Sequence, residues 1–88
     1  MLNTDELFKL AVNEAIEIFG KQYLQENYAN TCRACGIIAP DKYQFFIGIK
    51  GKTDLPERNC NDKGWVVYAL IYLDAHTGKV IEKEYAIE

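Results

Sequence analysis

The sequence contains no serine, and its single histidine is His76. Without serine there is no Ser–His nucleophile, so nucleophilic catalysis would need a thiol. A Cys-dependent enzyme therefore stays open as an alternative, with Cys32, Cys35 or Cys60 as nucleophile and His76 as base. We expect a non-catalytic protein instead, because His76 falls in a predicted hairpin turn and no glycine-rich phosphate loop is present.

The chain also lacks an excess of positive charge and a long apolar run. Thirteen acidic residues outnumber ten basic ones, for a formal charge of −3, which disfavours nucleic-acid binding and favours a partner that is basic, if anything. The longest apolar run, Trp65 to Leu73, is far short of the roughly 20 residues that cross a bilayer. With no basic leader at the N-terminus, we expect neither export nor membrane insertion.

Cysteines are few and odd in number. Three cysteines without an export signal favour reduced thiols, so the expected location is the cytoplasm. Cys32 and Cys35 have the CxxCG spacing of a zinc knuckle, and a zinc-stabilised interaction module would need Cys32, Cys35, Cys60 and His76 together. We expect no metal or other cofactor, because a whole predicted strand separates Cys60 from His76. A redox pair is also disfavoured, because this CxxC follows a helix instead of opening one.

What is present is enough for one small domain spanning residues 1–88. Asn3 and Glu6 form a capping-box-like pair, so a helix is predicted from Thr4, and Gly20 is expected to end or bend it. Its apolar face recurs at three- and four-residue spacing, and a further helical turn or two is expected as far as Asn30. The buried side of this helix is predicted to consist of Leu7, Phe8, Ala11, Ala15, Ile18 and Phe19.

After residue 42 the apolar period changes to two, which is typical of strands. Strands are predicted at 43–50, 65–74 and 79–87, and residues 31–42 are interpreted as a connection. The turn between Asp74 and Lys79 predicts an antiparallel pair. The expected fold is α+β: an N-terminal amphipathic helix packed on a three-stranded antiparallel meander.

Two features indicate a binding surface. The polar stretch 52–63 is much longer than the usual hairpin loop of 2–5 residues, which favours a functional loop. Aromatic residues on the sheet face away from the helix would form a patch bordered by glutamates, an arrangement suited to protein binding. The predicted binding residues are Phe46, Tyr68, Tyr72, Asp54, Glu57, Arg58, Glu82 and Glu84.

The C-terminal part of the sequence carries a resemblance. Trp65-Val66-Val67, followed by Asp74-Ala75-His76-Thr77-Gly78-Lys79-Val80, resembles the closing hairpin of cystatin-like and NTF2-like α+β modules, of bacterial immunity proteins and of PepSY-type modules. The likeness covers 64–84. The chain departs from PepSY modules in lacking an export signal, and it is shorter than full NTF2-like folds. The resemblance implies a cystatin-like fold and transfers no functional residue.

The expected function is that of a non-catalytic protein-binding module, an inhibitor or immunity-type protein that occludes a partner protein. Homodimerisation through the first or last strand of the sheet is the competing possibility, because edge strands offer unpaired backbone groups.

Overall fold

The computed structural model of the chain describes residues 1–38, 40–51, 60 and 64–87. Two helices and a short 3₁₀ turn precede all the strands. In chain order, the elements are α1 (Thr4–Phe19), α2 (Lys21–Asn27), the 3₁₀ turn (Tyr28–Asn30), β1 (Thr31–Ile38), β2 (Lys42–Ile49), β3 (Tyr68–Asp74) and β4 (Val80–Ala86).

The start and end of α1 follow the sequence signals. The backbone N–H of Glu6 donates to Asn3 Oδ1 at 2.8 Å, and Asn3 Nδ2 donates back to Glu6 Oε1 at 2.9 Å. These bonds complete the predicted capping box and fix the first turn. Gly20 has a φ of +91°, a conformation that favours glycine, and it separates α1 from α2. The predicted helix and its break are therefore confirmed.

The strands form one antiparallel sheet of four, in the order β1-β2-β3-β4. The predicted strands at 43–50, 65–74 and 79–87 correspond to β2, β3 and β4, and the last two pair about the predicted turn. The α+β class is confirmed, whereas the predicted number of three strands is wrong.

The additional strand is β1, in the segment that we expected to be a connection. Its residues lie directly opposite β2 from Thr31, which pairs with Ile49, to Ile38, which pairs with Lys42. This strand has no alternation of apolar and polar residues, because most of it is exposed or only half-buried on both sides. Because this strand has no buried face, nothing requires a period of two in its sequence.

The core lies between the helices and one face of the sheet. Phe8 on α1 meets Phe45 on β2 edge-on, with ring centroids 5.6 Å apart. Neither helix of the described chain combines the length and apolar character needed to cross a membrane. The buried core consists of Leu7, Ala11, Ala15, Leu24, Tyr43, Phe45, Ile47, Ile49, Val67, Ala69, Ile71, Leu73 and Ala75.

The turn between β3 and β4 is stabilised by the carboxylate of Asp74. Asp74 Oδ1 accepts from the backbone N–H of His76 at 2.8 Å and from that of Thr77 at 3.2 Å. These two hydrogen bonds favour the ionised carboxylate and lower the pKa of Asp74 below its usual range. Gly78 supplies the positive φ of +76° that the turn requires.

Candidate functional site

The sheet has an inner face toward the helices and an outer face directed away from them. Side chains directly opposite each other on antiparallel strands point to the same side, so the registers assign the paired strand residues to a face. Phe8 and Glu14 of α1 and Tyr28 of the 3₁₀ turn each contact a side chain of the inner face. The outer face consists of Cys32, Ala34, Gly36, Ile38, Lys42, Gln44, Phe46, Gly48, Tyr68, Leu70, Tyr72, Asp74, Glu82, Glu84 and Ala86.

Three aromatic rings contact one another across the outer face. Trp65 meets Phe46 edge-on with centroids 5.9 Å apart, and Phe46 stacks on Tyr68 at 6.2 Å. We call Trp65, Phe46 and Tyr68 the aromatic row. All three side chains are half-buried, so they hold one another in place and still present apolar surface.

Trp65 lies against the backbone of Gly48. A Cβ placed on Gly48 would lie only 2.7 Å from Cδ2 and Cε3 of the indole, closer than carbon atoms can approach. Residue 48 must therefore be glycine for Trp65 to take this position. Trp65 itself lies outside β3, although the sequence predicts a strand beginning there.

Acidic side chains border the aromatic row on β4. The Tyr68 hydroxyl donates to Glu84 Oε1 at 2.7 Å, which stabilises the protonated phenol and raises the pKa of Tyr68. Glu82 lies directly opposite Tyr72, and both Glu82 and Glu84 are exposed. This side of the outer face is therefore negatively charged next to apolar rings.

Tyr72 continues the apolar surface toward the other end of the sheet. The Lys42 ammonium lies 4.3 Å from the centre of the Tyr72 ring, which is a cation–π contact. Leu70 lies between Tyr68 and Tyr72 on the same strand face and is half-buried. The apolar surface thus runs without interruption along β3.

A shallow depression lies beside β1. It has a volume of about 190 Å³, and the small residues Ala34 and Gly36 leave it open. A Cβ on Gly36 would meet nothing within 4 Å. The depression is lined by Ala34, Cys35, Gly36, Ile37, Ile38 and Gln44.

Most of the predicted binding residues lie together. The pairing of β2, β3 and β4 places them on the outer face, within a few register positions of one another. The structure adds Trp65, Gly48 and Leu70, which the prediction did not include. The predicted residues that come together are Phe46, Tyr68, Tyr72, Glu82 and Glu84, whereas Asp54, Glu57 and Arg58 lie outside the described residues.

Two of the three cysteines form a disulfide, which corrects the expectation of reduced thiols. Cys32 on β1 is bonded to Cys60, with a Cα–Cα distance of 5.5 Å. Cys35 carries the remaining thiol and is exposed. Three residues along the same strand from Cys32, Cys35 points to the inner face, where it contacts Tyr43. Burial of Tyr43 and the hydrogen bond between its hydroxyl and Cys35 raise the pKa of the Tyr43 hydroxyl.

The four residues of the zinc alternative are not brought together in the structure. Cys32 and Cys60 are consumed by their disulfide, and Cys35 lies on the other face of the sheet. His76 lies at the far end, where its Nε2 is 3.4 Å from Asp41 Oδ2. Within the described ranges, no three His, Cys, Asp or Glu side chains converge as metal ligands.

The Cys–His pair of the enzyme alternative is also not assembled. The Cys35 thiol lies on the inner side of β1, whereas His76 lies in the β3–β4 turn beside Asp41. A base must reach the nucleophile within about 3 Å, directly or through one water. In the described part of the chain, His76 therefore has no thiol to activate.

A scan against protein-family models found no match, and searches of curated proteins and of solved structures found no significant match either. The fold and the outer face are therefore the grounds on which a function is proposed.

Proposed function

We propose that the protein is a non-catalytic binding module that occludes a partner protein with the outer face of its sheet, in the manner of an inhibitor or immunity protein. The observation that carries this proposal is the aromatic row, which is held in place by its own ring contacts and bordered by Glu82 and Glu84. A few aromatic anchors supply most of the affinity of a typical protein interface.

The rigidity of the aromatic row supports this proposal. Tyr68 is fixed at both ends, by stacking on Phe46 and by its hydroxyl bond to Glu84. Anchors that are already ordered lose little conformational entropy when a partner binds. Tyr and Trp are also enriched among the residues that dominate binding energy.

The charge distribution indicates the kind of partner. Exposed Glu82 and Glu84 lie beside the rings on the edge strand β4, and the whole chain carries a formal charge of −3. Complementary charge speeds association and excludes wrong partners. The proposed partner therefore presents an apolar site bordered by Lys or Arg residues.

The finer assignments belong to the same proposal. A helix followed by an antiparallel meander supports the cystatin-like fold that the C-terminal resemblance implies. The expected cytoplasmic location depended on reduced thiols, and the Cys32–Cys60 bond favours an oxidising compartment instead. We therefore propose that the module acts in a compartment oxidising enough for this disulfide to form.

A homodimer through β4 is the second candidate. Ile81, Tyr85 and Ile87 on and beside this edge strand are exposed by 55%, 50% and 53%. Such an edge could pair with a second copy. This homodimer would use the edge and the inner side of β4, whereas the proposed partner would use the outer face. Substitutions on the two surfaces therefore distinguish the two candidates.

The test is affinity capture from the native host, followed by binding measurements on two pairs of variants. Tyr72→Ala and Glu84→Lys change the outer face, and Tyr85→Ala and Glu26→Lys are their matched controls elsewhere. We expect the outer-face variants to weaken binding at least tenfold, in line with about 1.4 kcal/mol or more per anchor, and the controls to bind like wild type. Failure to recover a partner, or equal effects of both pairs, contradicts the proposal.

A further inference from the structure

Two attachments of the segment that leads into β3 meet at neighbouring points of the outer face. Cys60 is bonded to Cys32, and Trp65 lies on Gly48. Cys32 and Gly48 are directly opposite each other in the β1–β2 pairing. The disulfide therefore anchors the chain next to the position of Trp65, at the end of the aromatic row.

We propose that the Cys32–Cys60 disulfide is a redox control on the outer face, and that only the oxidised protein holds Trp65 in its binding position. The proposal rests on the function proposed above and names its regulation. The reductant is a dithiol, whose two sulfurs become a disulfide while Cys32 and Cys60 each gain a proton and become thiols.

The covalent anchor matters because residue 60 is close to residue 65 along the chain. Five residues span at most about 17 Å, so the bond of Cys60 to β1 restrains Trp65 from its N-terminal side. It adds to the restraint on the C-terminal side, where the Val67 carbonyl accepts from the Ile49 N–H at 2.9 Å. After reduction Trp65 keeps only the restraint on its C-terminal side and its own contacts with the sheet, so its position is less confined. Phe46 then loses its edge-on partner in the fraction of molecules in which Trp65 leaves.

Cys35 is not a substitute partner for Cys32 in the folded sheet. Residues three apart on one strand are separated by about 10 Å and point to opposite faces. A disulfide needs Cα atoms within about 7 Å. Cys35 therefore cannot displace Cys60 without unpairing β1, and Cys35→Ser is a matched control for loss of a thiol.

The first experiment uses Trp65, the chain's one tryptophan, as the reporter. Emission and acrylamide quenching are measured for the oxidised protein, for the same protein reduced with dithiothreitol, and for Cys60→Ser and Cys35→Ser. We expect reduction and Cys60→Ser to shift the emission to longer wavelength and to raise quenching at least twofold. Oxidised Cys35→Ser should match oxidised wild type.

If Cys60→Ser fails to fold, the reduced wild type carries the test. Circular dichroism then shows whether the reduced wild type is still folded. Unchanged emission and quenching after full reduction, confirmed by thiol counting, would overturn the proposal. The proposal would also be overturned if the protein, purified without reductant from an oxidising compartment, had three titratable thiols and therefore no disulfide.

The second experiment measures binding of the captured partner to the oxidised and reduced proteins. We expect reduction to weaken binding at least tenfold and oxidised Cys35→Ser to bind like wild type. If the partner binds both forms equally, the redox inference fails and the proposed function stands. If Trp65 responds to reduction but outer-face substitutions do not affect binding, the proposed function fails instead.

Discussion

Trp65 and Gly48 form a contact in which the indole occupies the space of an absent side chain. The ring lies 2.7 Å from where the Cβ of any other residue at position 48 would be. Because Phe46 packs against the same indole, this contact determines how the aromatic row begins. The identity of residue 48 therefore controls the shape of the proposed binding surface.

Replacing Gly48 by alanine should displace Trp65. The added methyl group overlaps ring carbons, so the indole must move out toward solvent, and we expect a loss of about 1–2 kcal/mol in the free energy of unfolding. The measurements are chemical denaturation and tryptophan emission, which should shift to longer wavelength.

Gly36→Ala is the matched control, because it lies on the same face and its Cβ would meet nothing within 4 Å. It should leave Trp65 emission unchanged and cost no stability. An equal effect of the two substitutions would show that Trp65 does not lie on Gly48.

Removing the disulfide should destabilise the domain. The bond joins residues 28 positions apart, and closing a loop of that size stabilises a protein by about 3–4 kcal/mol. Cys32→Ser and Cys60→Ser should each lower the free energy of unfolding by about that amount, whereas Cys35→Ser should change it by less than about 1 kcal/mol. Equal stability of all three variants in urea denaturation, measured without reductant, would contradict the disulfide.

Lys83 should keep the edge strand β4 from self-association. Its ammonium lies 2.8 Å from Glu14 Oε1, and its side chain points to the inner face between exposed apolar neighbours. An inward-pointing charge on an edge strand opposes pairing with another copy. Lys83→Val should therefore produce concentration-dependent dimers or larger species in sedimentation, whereas Lys83→Gln should sediment as a monomer like wild type.

Lys83→Gln should cost little stability, because the Lys83 ammonium lies at the surface, where water and salt screen its attraction to Glu14. A wild-type protein that already sediments as a dimer would instead support the β4 homodimer.

Asp74 should make stability depend on acidic pH. Its hydrogen bonds lower the folded-state pKa below the ordinary value of 3.8, so the carboxylate stabilises the fold above that pH. The stabilisation is lost as pH falls through the lower, folded-state pKa, because the unfolded chain takes up the proton first.

Asp74→Asn keeps an acceptor oxygen for the two backbone N–H groups but cannot ionise. The stability advantage of wild type over Asp74→Asn should be constant from about pH 7 to about pH 5 and should shrink below about pH 4. A difference that stays constant down to about pH 2 would mean that the carboxylate charge does not stabilise the turn.

Three of the four strands could be predicted from sequence: β2 and β3 from the period of two that their buried face imposes, and β4 from the turn that precedes it and its own alternation. Tyr43, Phe45 and Ile47 alternate with less apolar residues because every second side chain enters the core. Thr31–Ile38 has no such pattern, and all of its side chains are exposed or half-buried. Its membership in the sheet is determined by pairing with β2, which is a tertiary contact.

In the candidate site, positions that follow from strand periodicity could be predicted, whereas positions that depend on tertiary contacts could not. The outer-face positions of Phe46, Tyr68 and Tyr72 follow from the period of two along each strand, and so they could be predicted. The positions of Trp65 and Cys60 depend on where an irregular segment meets the sheet. The Cys32–Cys60 disulfide was missed because an odd number of cysteines without an export signal was interpreted as a set of reduced thiols.

The most direct test of the outer face as the binding surface is hydroxyl-radical footprinting of the protein with and without its captured partner. Tyr72, Tyr68 and Trp65 report on the outer face, whereas Tyr85 and Tyr23, which are 50% and 40% exposed, report on other surfaces. We predict that the partner lowers the oxidation rate of the outer-face residues several-fold and leaves Tyr85 and Tyr23 unchanged. Protection of Tyr85 or Tyr23 with no protection of Tyr72, Tyr68 and Trp65 would contradict the account.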